Sequence, residues 1–211
     1  MFRYSRNPSL ALMETDITLL NAVRDLNKEA LVKIFDLYSP ALYNYALRVC
    51  GDPVRADHVV GDVFVKLLDQ LSVGNGPSTN LRSYLYQTAH HLIIDQARSS
   101  RHTIPLEAAD WLRPDLHSSI LGLENRIMFE RILNAIQSDV TEDQRHVVIL
   151  RYLEGFSLRE TAAIMGKTVP HVKVIQNRAI AKIRQALNYD EIMRTVSCAN
   201  VRKVSKALSI R

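Results

Sequence analysis

Between Ser157 and Leu187 the chain, SLRETAAIMGKTVPHVKVIQNRAIAKIRQAL, starts a helix, stops it and starts another, and this punctuation limits the fold more than any other feature. Ser157 and Glu160 form an S-x-x-E capping box, in which the hydroxyl accepts a backbone N–H of the first turn while the carboxylate reaches back. The apolar side of this short helix is Leu158, Ala162 and Met165. Gly166 adopts positive φ without a Cβ clash, Thr168 is an N-cap, and Pro170 falls in a first turn, where its missing N–H had no helical partner. The second helix sets Val172, Ala179, Ile183 and Leu187 at three-to-four spacing, with Lys173, Asn177, Arg178, Lys182 and Arg184 mostly elsewhere around the axis. An apolar back and a basic front predict a helix-turn-helix whose second helix lies in a DNA groove. The plainer alternative is a helical hairpin with a solvated basic face. Two caps, a glycine turn and a row of bases along a helix of about 30 Å favour DNA.

At 211 residues and 47% hydrophobic content the chain can bury a core, and two small domains suit it better than one. A formal charge of +5 and a pI near 9.3 ask for an anionic partner, either nucleic acid or an acidic membrane surface. No apolar run approaches the roughly 18 residues of a membrane span, and the segment SLALM is too short for a secretory signal, so no membrane insertion and a soluble, cytoplasmic chain are expected. Cys50 and Cys198 are too few and too distant in sequence for a disulfide scaffold or zinc cluster and read as plain thiols.

Elsewhere the periodicity is helical throughout, which predicts an all-α protein of two small helical domains joined by a linker, the second ending in the helix-turn-helix. Ile17, Leu20 and Val23 suggest a first helix from Thr15, and a second runs from Asn27 through Leu31, Ile34, Phe35 and Tyr38. Ser39-Pro40 and Asp52-Pro53 each pair an N-cap with a first-turn proline, so helices are expected to restart at both; Gly51 ends the one between. SVGNGPSTN, residues 72–80, is the clearest loop, and a helix returns from Leu81 to Arg98. The period fails between Ser99 and about Leu123, where Pro105 and Pro114 mark a linker. A new helix carries Ile127, Ile132, Leu133 and Ile136; Thr141 and Gln144 then cap another that Gly155 closes. The expected boundaries are 15–98 for the first domain, 99–123 for the linker, 124–189 for the second domain and 190–211 for a basic tail.

With this order laid out, the chain resembles a bacterial RNA polymerase sigma factor of the extracytoplasmic-function (ECF) group in the sigma-70 family. LYSPALYNYALRVCGDPVRADHVVGDVF looks like the first half of sigma region 2, RSYLYQTAHHLIIDQAR like its second half, and Thr141 to Leu187 like region 4. The resemblance implies a non-catalytic subunit that needs no cofactor or metal. Such a subunit binds core RNA polymerase through the β′ clamp helices and the β subunit, reads the -10 and -35 promoter elements, helps open the duplex, and is often held by an anti-sigma factor. It implies polymerase contacts at Asp57, Asp62 and Phe64, with His58 and Gly61 departing from the family's usual acid and glutamine.

For the -10 element the candidates are Gly74, Asn75, Asn80, Arg82, Tyr84, Arg98 and Arg101: glycines admit a base, amides read it, a ring stacks on it and cations hold the strand. One of Tyr84 and Tyr86 is expected in the core. For the -35 element they are Thr168, His171, Lys173, Asn177 and Arg178, the cations on phosphate and Asn177 on an adenine edge. Either Ile175 or Gln176 takes the core position of that helix. A metal-dependent phosphohydrolase drawing on His58, Asp62, His90, His91 and Asp95 is disfavoured, because the adjacent His-Asp pair of such enzymes is missing. A response-regulator-type transcription factor would need an α/β receiver, and residues 15–98 show no strand pattern.

Overall fold

The computed structural model describes residues 21–25, 27–77, 79–99 and 123–187, and among them every regular element is helical. In order these are α1 (Lys28–Cys50), α2 (Pro53–Ser72), α3 (Leu81–Ser99), α4 (Leu123–Ser138), α5 (Glu142–Val148), a π-helical turn (Ile149–Leu153), α6 (Leu158–Ile164) and α7 (Val169–Ala186). The all-α expectation holds, and α6 and α7 form the helix-turn-helix. Most of the helix expected from Thr15, most of the linker and all of the basic tail lie outside the described residues.

Asn27 caps α1 by accepting the N–H groups of Glu29 and Ala30 at 2.9 and 3.2 Å. At the other end Gly51, at φ 70°, returns its N–H to the Leu47 carbonyl. The restart expected at Ser39-Pro40 does not occur, and α1 runs unbroken through Pro40. A mid-helix proline costs roughly 3 kcal/mol or more. Here the stripe Ile34, Tyr38, Leu42 and Tyr45 is buried on both sides of it, and each such side chain is worth about 1.5–3 kcal/mol. Continuity of the stripe against α2 and α3 therefore outweighs the local break.

Asp52 caps α2, accepting from Val54 N–H at 2.9 Å and Arg55 N–H at 3.3 Å, with Pro53 in the first turn as predicted. The helix ends where Asn75 N–H reaches back to the Gln70 carbonyl at 2.8 Å. Gly76 then lies so close over Leu71 that a Cβ there would stand 2.5 Å from Cδ2.

In the second set the reciprocal Ser157–Glu160 bonds are present at 2.7 and 3.2 Å, and Gly166 sits at φ 60°. Thr168 occupies the N-cap of α7, although its hydroxyl makes no capping hydrogen bond. Ile175 takes the core position, beside buried Val172 and Ala179. The π turn was not legible in the sequence. Glu154 N–H bonds the Ile149 carbonyl at 2.9 Å, and the chain bulges by one residue before Gly155 turns it.

The two sets of helices pack on each other. Arg145 joins them: its guanidinium donates to the carbonyls of Ile136, Gln137 and Val49 at 3.1, 2.6 and 2.8 Å, satisfying the ends of α4 and α1 together. Helix α3 packs against α6, and the buried apolar side chains of both sets form one continuous core. Because Pro40 leaves a gap in an otherwise continuous hydrogen-bond ladder, Pro40→Ala should stabilise the chain by up to about 3 kcal/mol. A higher urea midpoint at unchanged m-value is the expected measurement.

Candidate functional site

On the second set, Thr168, His171, Lys173, Asn177 and Arg178 are all exposed along α7. Burial of Val172, Ile175 and Ala179 on the opposite side turns them outward. Gln176 is part-buried; its amide nitrogen donates to the Tyr152 hydroxyl at 2.9 Å, and its oxygen accepts from Arg151 Nε at 3.3 Å. It therefore braces α7 against the π turn, and the five candidates are exposed around the part of α7 not taken by the buried stripe, Lys173 and Asn177 opposite that stripe and His171 and Arg178 on its flank.

On the first set, α1 and α2 enclose an open groove of about 380 Å³ lined by Phe35, Ser39, Pro40, Tyr43, Asp57, Val60 and Gly61. Phe64 adjoins it, its ring 4.8 Å from the half-exposed ring of Phe35. Asp57 and Phe64 lie two helical turns apart on one side of α2, whereas Asp62 points about 140° away from Asp57 around the axis. The structure thus brings two of the three candidates together and leaves Asp62 exposed elsewhere. Phe35 and Tyr43 escaped the sequence reading as site residues because aromatics at helical spacing read as core, and Pro40 because it read as a helix start.

The candidates of the loop and α3 are dispersed. Gly74, at φ 76°, and Asn75 terminate α2 through their backbone N–H groups, and the Asn80 side-chain oxygen caps α3 by accepting from Ser83 N–H at 2.9 Å. Tyr84 is part-buried, while Tyr86 is the core tyrosine of the pair at 1% exposure. The side chains of Arg98 and Arg101 lie outside the described residues. Arg82 faces the second set: it donates to the Glu154 carbonyl and stacks 4.0 Å above the Phe156 ring and 5.5 Å from Tyr86.

Glu154 is the centre of this contact. Its side chain, 8% exposed, accepts from the Tyr86 hydroxyl at 2.5 Å and from Arg48 at 3.4 Å. Burial raises its pKa, while the Tyr86 hydrogen bond and then Arg48 and Arg82 act in the opposite direction. Sequence reasoning passed over Glu154, although a carboxylate at the end of a helical run, where the macrodipole is unfavourable, is itself a signal of a partner. Close by, His146 lies with Nδ1 2.8 Å from the Tyr45 hydroxyl and 3.3 Å from Nδ1 of His90. His90 and His146 are thus spent on each other, and no group of three His, Cys, Asp or Glu residues able to hold a metal occurs among the described residues.

Comparison with known proteins assigns these surfaces to a family. Residues 34–103 match Sigma-70 region 2, and residues 138–185 match Sigma-70, region 4, together more than half of the chain. The chain belongs to the sigma-70 family, in its ECF group. It is 26% identical over 166 residues to the ECF RNA polymerase sigma factor BldN of Streptomyces coelicolor, covering 77% of this chain and 62% of that one. With the ECF RNA polymerase sigma factor SigX of Bacillus subtilis it shares 27% identity over 164 residues, covering 75% of this chain and 84% of the relative. The fold resembles that of the sigma factor RpoE from Bartonella quintana, solved in complex with the anti-sigma factor NepR, at a TM-score of 0.60 and 24% identity over 79% of this chain and 99% of that one. The groove and α3 thus fall in region 2, and α7 in region 4. Glu154 and Arg82 bridge the two regions.

Because Glu154→Ala would strand Arg48 and the Tyr86 hydroxyl in a buried contact, it should destabilise the protein by about 3 kcal/mol. Glu154→Gln, which keeps an acceptor, should cost less. Urea denaturation of the two variants side by side measures the difference.

Proposed function

We propose that this protein is an ECF sigma factor that binds core RNA polymerase, directs it to promoters through the -10 and -35 elements, and assists melting, with no catalytic chemistry of its own. The observation that carries the reading is the pairing, in one chain and in family order, of a region 2 match bearing an apolar groove with an acidic rim and a region 4 match bearing an exposed basic helix. Purified protein added to core polymerase should yield promoter-specific transcripts. A regulator lacking sigma activity would bind duplex DNA alone and leave core polymerase inactive.

Region 2 is assigned here to residues 15–98 and region 4 to 124–189, with 99–123 as linker and 190–211 as a basic tail. Within region 2 the docking face for the β′ clamp helices is the groove between α1 and α2, where the Phe35–Phe64 pair supplies the apolar contact and Asp57 a charge for a basic partner. The β subunit is the second polymerase contact. An anti-sigma factor is a fitting regulator, and the setting is cytoplasmic; no helix among the described residues is long and apolar enough to cross a membrane. In region 4, α7 lies in the major groove, with Lys173 and Arg178 on phosphate and Asn177 on a base edge. Tyr84 with Gly74, Asn75, Asn80, Arg82, Arg98 and Arg101 takes the opened -10 strand. Arg82 serves there only after leaving Phe156 and Glu154.

Charge reversal at Asp57 should weaken core binding more than charge reversal at Asp62, which stands away from the groove; calorimetric titration with core polymerase compares them. Lys173→Ala should lower promoter affinity for every sequence and reduce the log–log salt slope by about one. Asn177→Ala should instead relax preference at one or two base pairs. Tyr84→Ala should impair initiation on duplex promoter, with recovery on a template pre-opened across the -10 region, since stacking is worth about 1–3 kcal/mol per base.

A further inference from the structure

Regions 2 and 4 meet across a buried pair of titratable rings. His90, on α3 of region 2, and His146, on α5 of region 4, are 1% and 0% exposed, and their ring centroids are 4.3 Å apart in an edge-to-face contact. Tyr45 of α1 is their third partner. With the Tyr45 O–H donating to Nδ1 of His146, the neutral ring carries its proton on Nε2, which no hydrogen-bond partner among the described residues reaches. The pair therefore fits while both rings are neutral. A cation on His146 would carry a proton on Nδ1 as well, ending its role as acceptor toward the Tyr45 hydroxyl and His90, and would place an uncompensated charge in the buried contact.

The groups around the pair make that worse. From α3 itself His91 stands 5.8 Å from His90, and Tyr86 lies one turn before it. From α5 come Arg145 and Asp143, and after α6 comes Lys167, whose Nζ is 3.1 Å from Asp143. Glu154 and Cys50 face Tyr45 from the π turn and the end of α1. Asp143 is the group that favours a charge on His90, and its partner Lys167 offsets it.

We propose that His90 and His146 form an acid-released latch between regions 2 and 4: neutral, they hold the closed arrangement, and their protonation separates the regions and frees Arg82 from Glu154 and Phe156. Burial lowers the pKa of His90 to about 4, with His91 acting in the same direction, and burial and then His90 lower that of His146 well below its ordinary value. In the separated form both rings return to an ordinary value near 6.5. Closure is thus fully favoured above roughly pH 6.5 and is lost as pH falls below it, because the open form binds the protons. With two rings the open-to-closed ratio rises by up to roughly a hundredfold per pH unit. Glu154 acts in the opposite sense: burial raises its pKa in the closed form, so its protonation favours closure in a window that extends upward from the ordinary carboxylate range.

Small-angle scattering and circular dichroism of the full chain between pH 7.5 and 5.5 test the latch. The radius of gyration should grow below pH 6.5 with helicity retained, and the opening equilibrium should depend on pH with a slope above one proton. Glu154→Gln should keep that slope, and His90→Gln/His146→Gln should remain closed at pH 5.5 or, if it opens, do so equally at both pH values. A constant radius in the wild-type chain, loss of helicity together with expansion, a slope below one proton, or the same acid expansion in the double variant overturns the proposal. Since the measurement does not involve polymerase or promoter, its failure is distinguishable from a failure of the sigma assignment.

Discussion

The junction of the two helical sets turns on one carboxylate. Glu154 sits at the end of a π turn, where the helix dipole opposes it and burial raises its cost further, so it persists only because Tyr86 and Arg48 reach it from the other set. The same segment offers its backbone carbonyl to Arg82, and Phe156 lies under that guanidinium while its ring packs 4.9 Å from Tyr86. The π turn makes this possible. An α-helical continuation would rotate Glu154 by about 100° for the one residue gained, away from the partners that satisfy it.

That junction bears on DNA and on polymerase differently. The α1–α2 groove lies clear of the contact and is open in the closed arrangement. The exposed side of α7 proposed to read DNA is open as well. Arg82, by contrast, is committed to the second set. A cation stacked on a ring and bonded to a carbonyl cannot also neutralise a strand, so the closed arrangement permits polymerase docking and -35 reading geometrically but withholds part of the proposed -10 surface.

Burial also sorts the remaining reactive groups. The Cys50 thiol is pushed up to about 11 by burial, with Arg55 opposing and Asp52 adding to the shift, so it is a poor nucleophile near neutral pH. The Tyr45 and Tyr86 hydroxyls are raised by burial; Tyr86 donates to Glu154, and Tyr45 shares a hydrogen bond with Nδ1 of His146. None of these groups lines the groove between α1 and α2.

Local chemistry was legible in the sequence wherever it acts between near neighbours: the Asp52-Pro53 start, the Ser157–Glu160 box and the glycine at Gly166 depend on backbone N–H groups within three or four residues, and each is present in the structure. The outward set on α7 followed from the same logic, because helical period alone separates Lys173 and Asn177 from Val172 and Ala179. Tertiary packing decided the rest. Pro40 failed to break α1 because a stripe that spans it is buried against two other helices, which no local signal reports. Ile175 rather than Gln176 entered the core because Arg151 and Tyr152, brought round by the π turn, supply partners for the amide. Arg82, His90 and Glu154 took their roles from groups 56 to 106 residues away in the chain. A side chain's cost of burial is set by what stands opposite it, and that is a property of the fold and not of its neighbours in sequence.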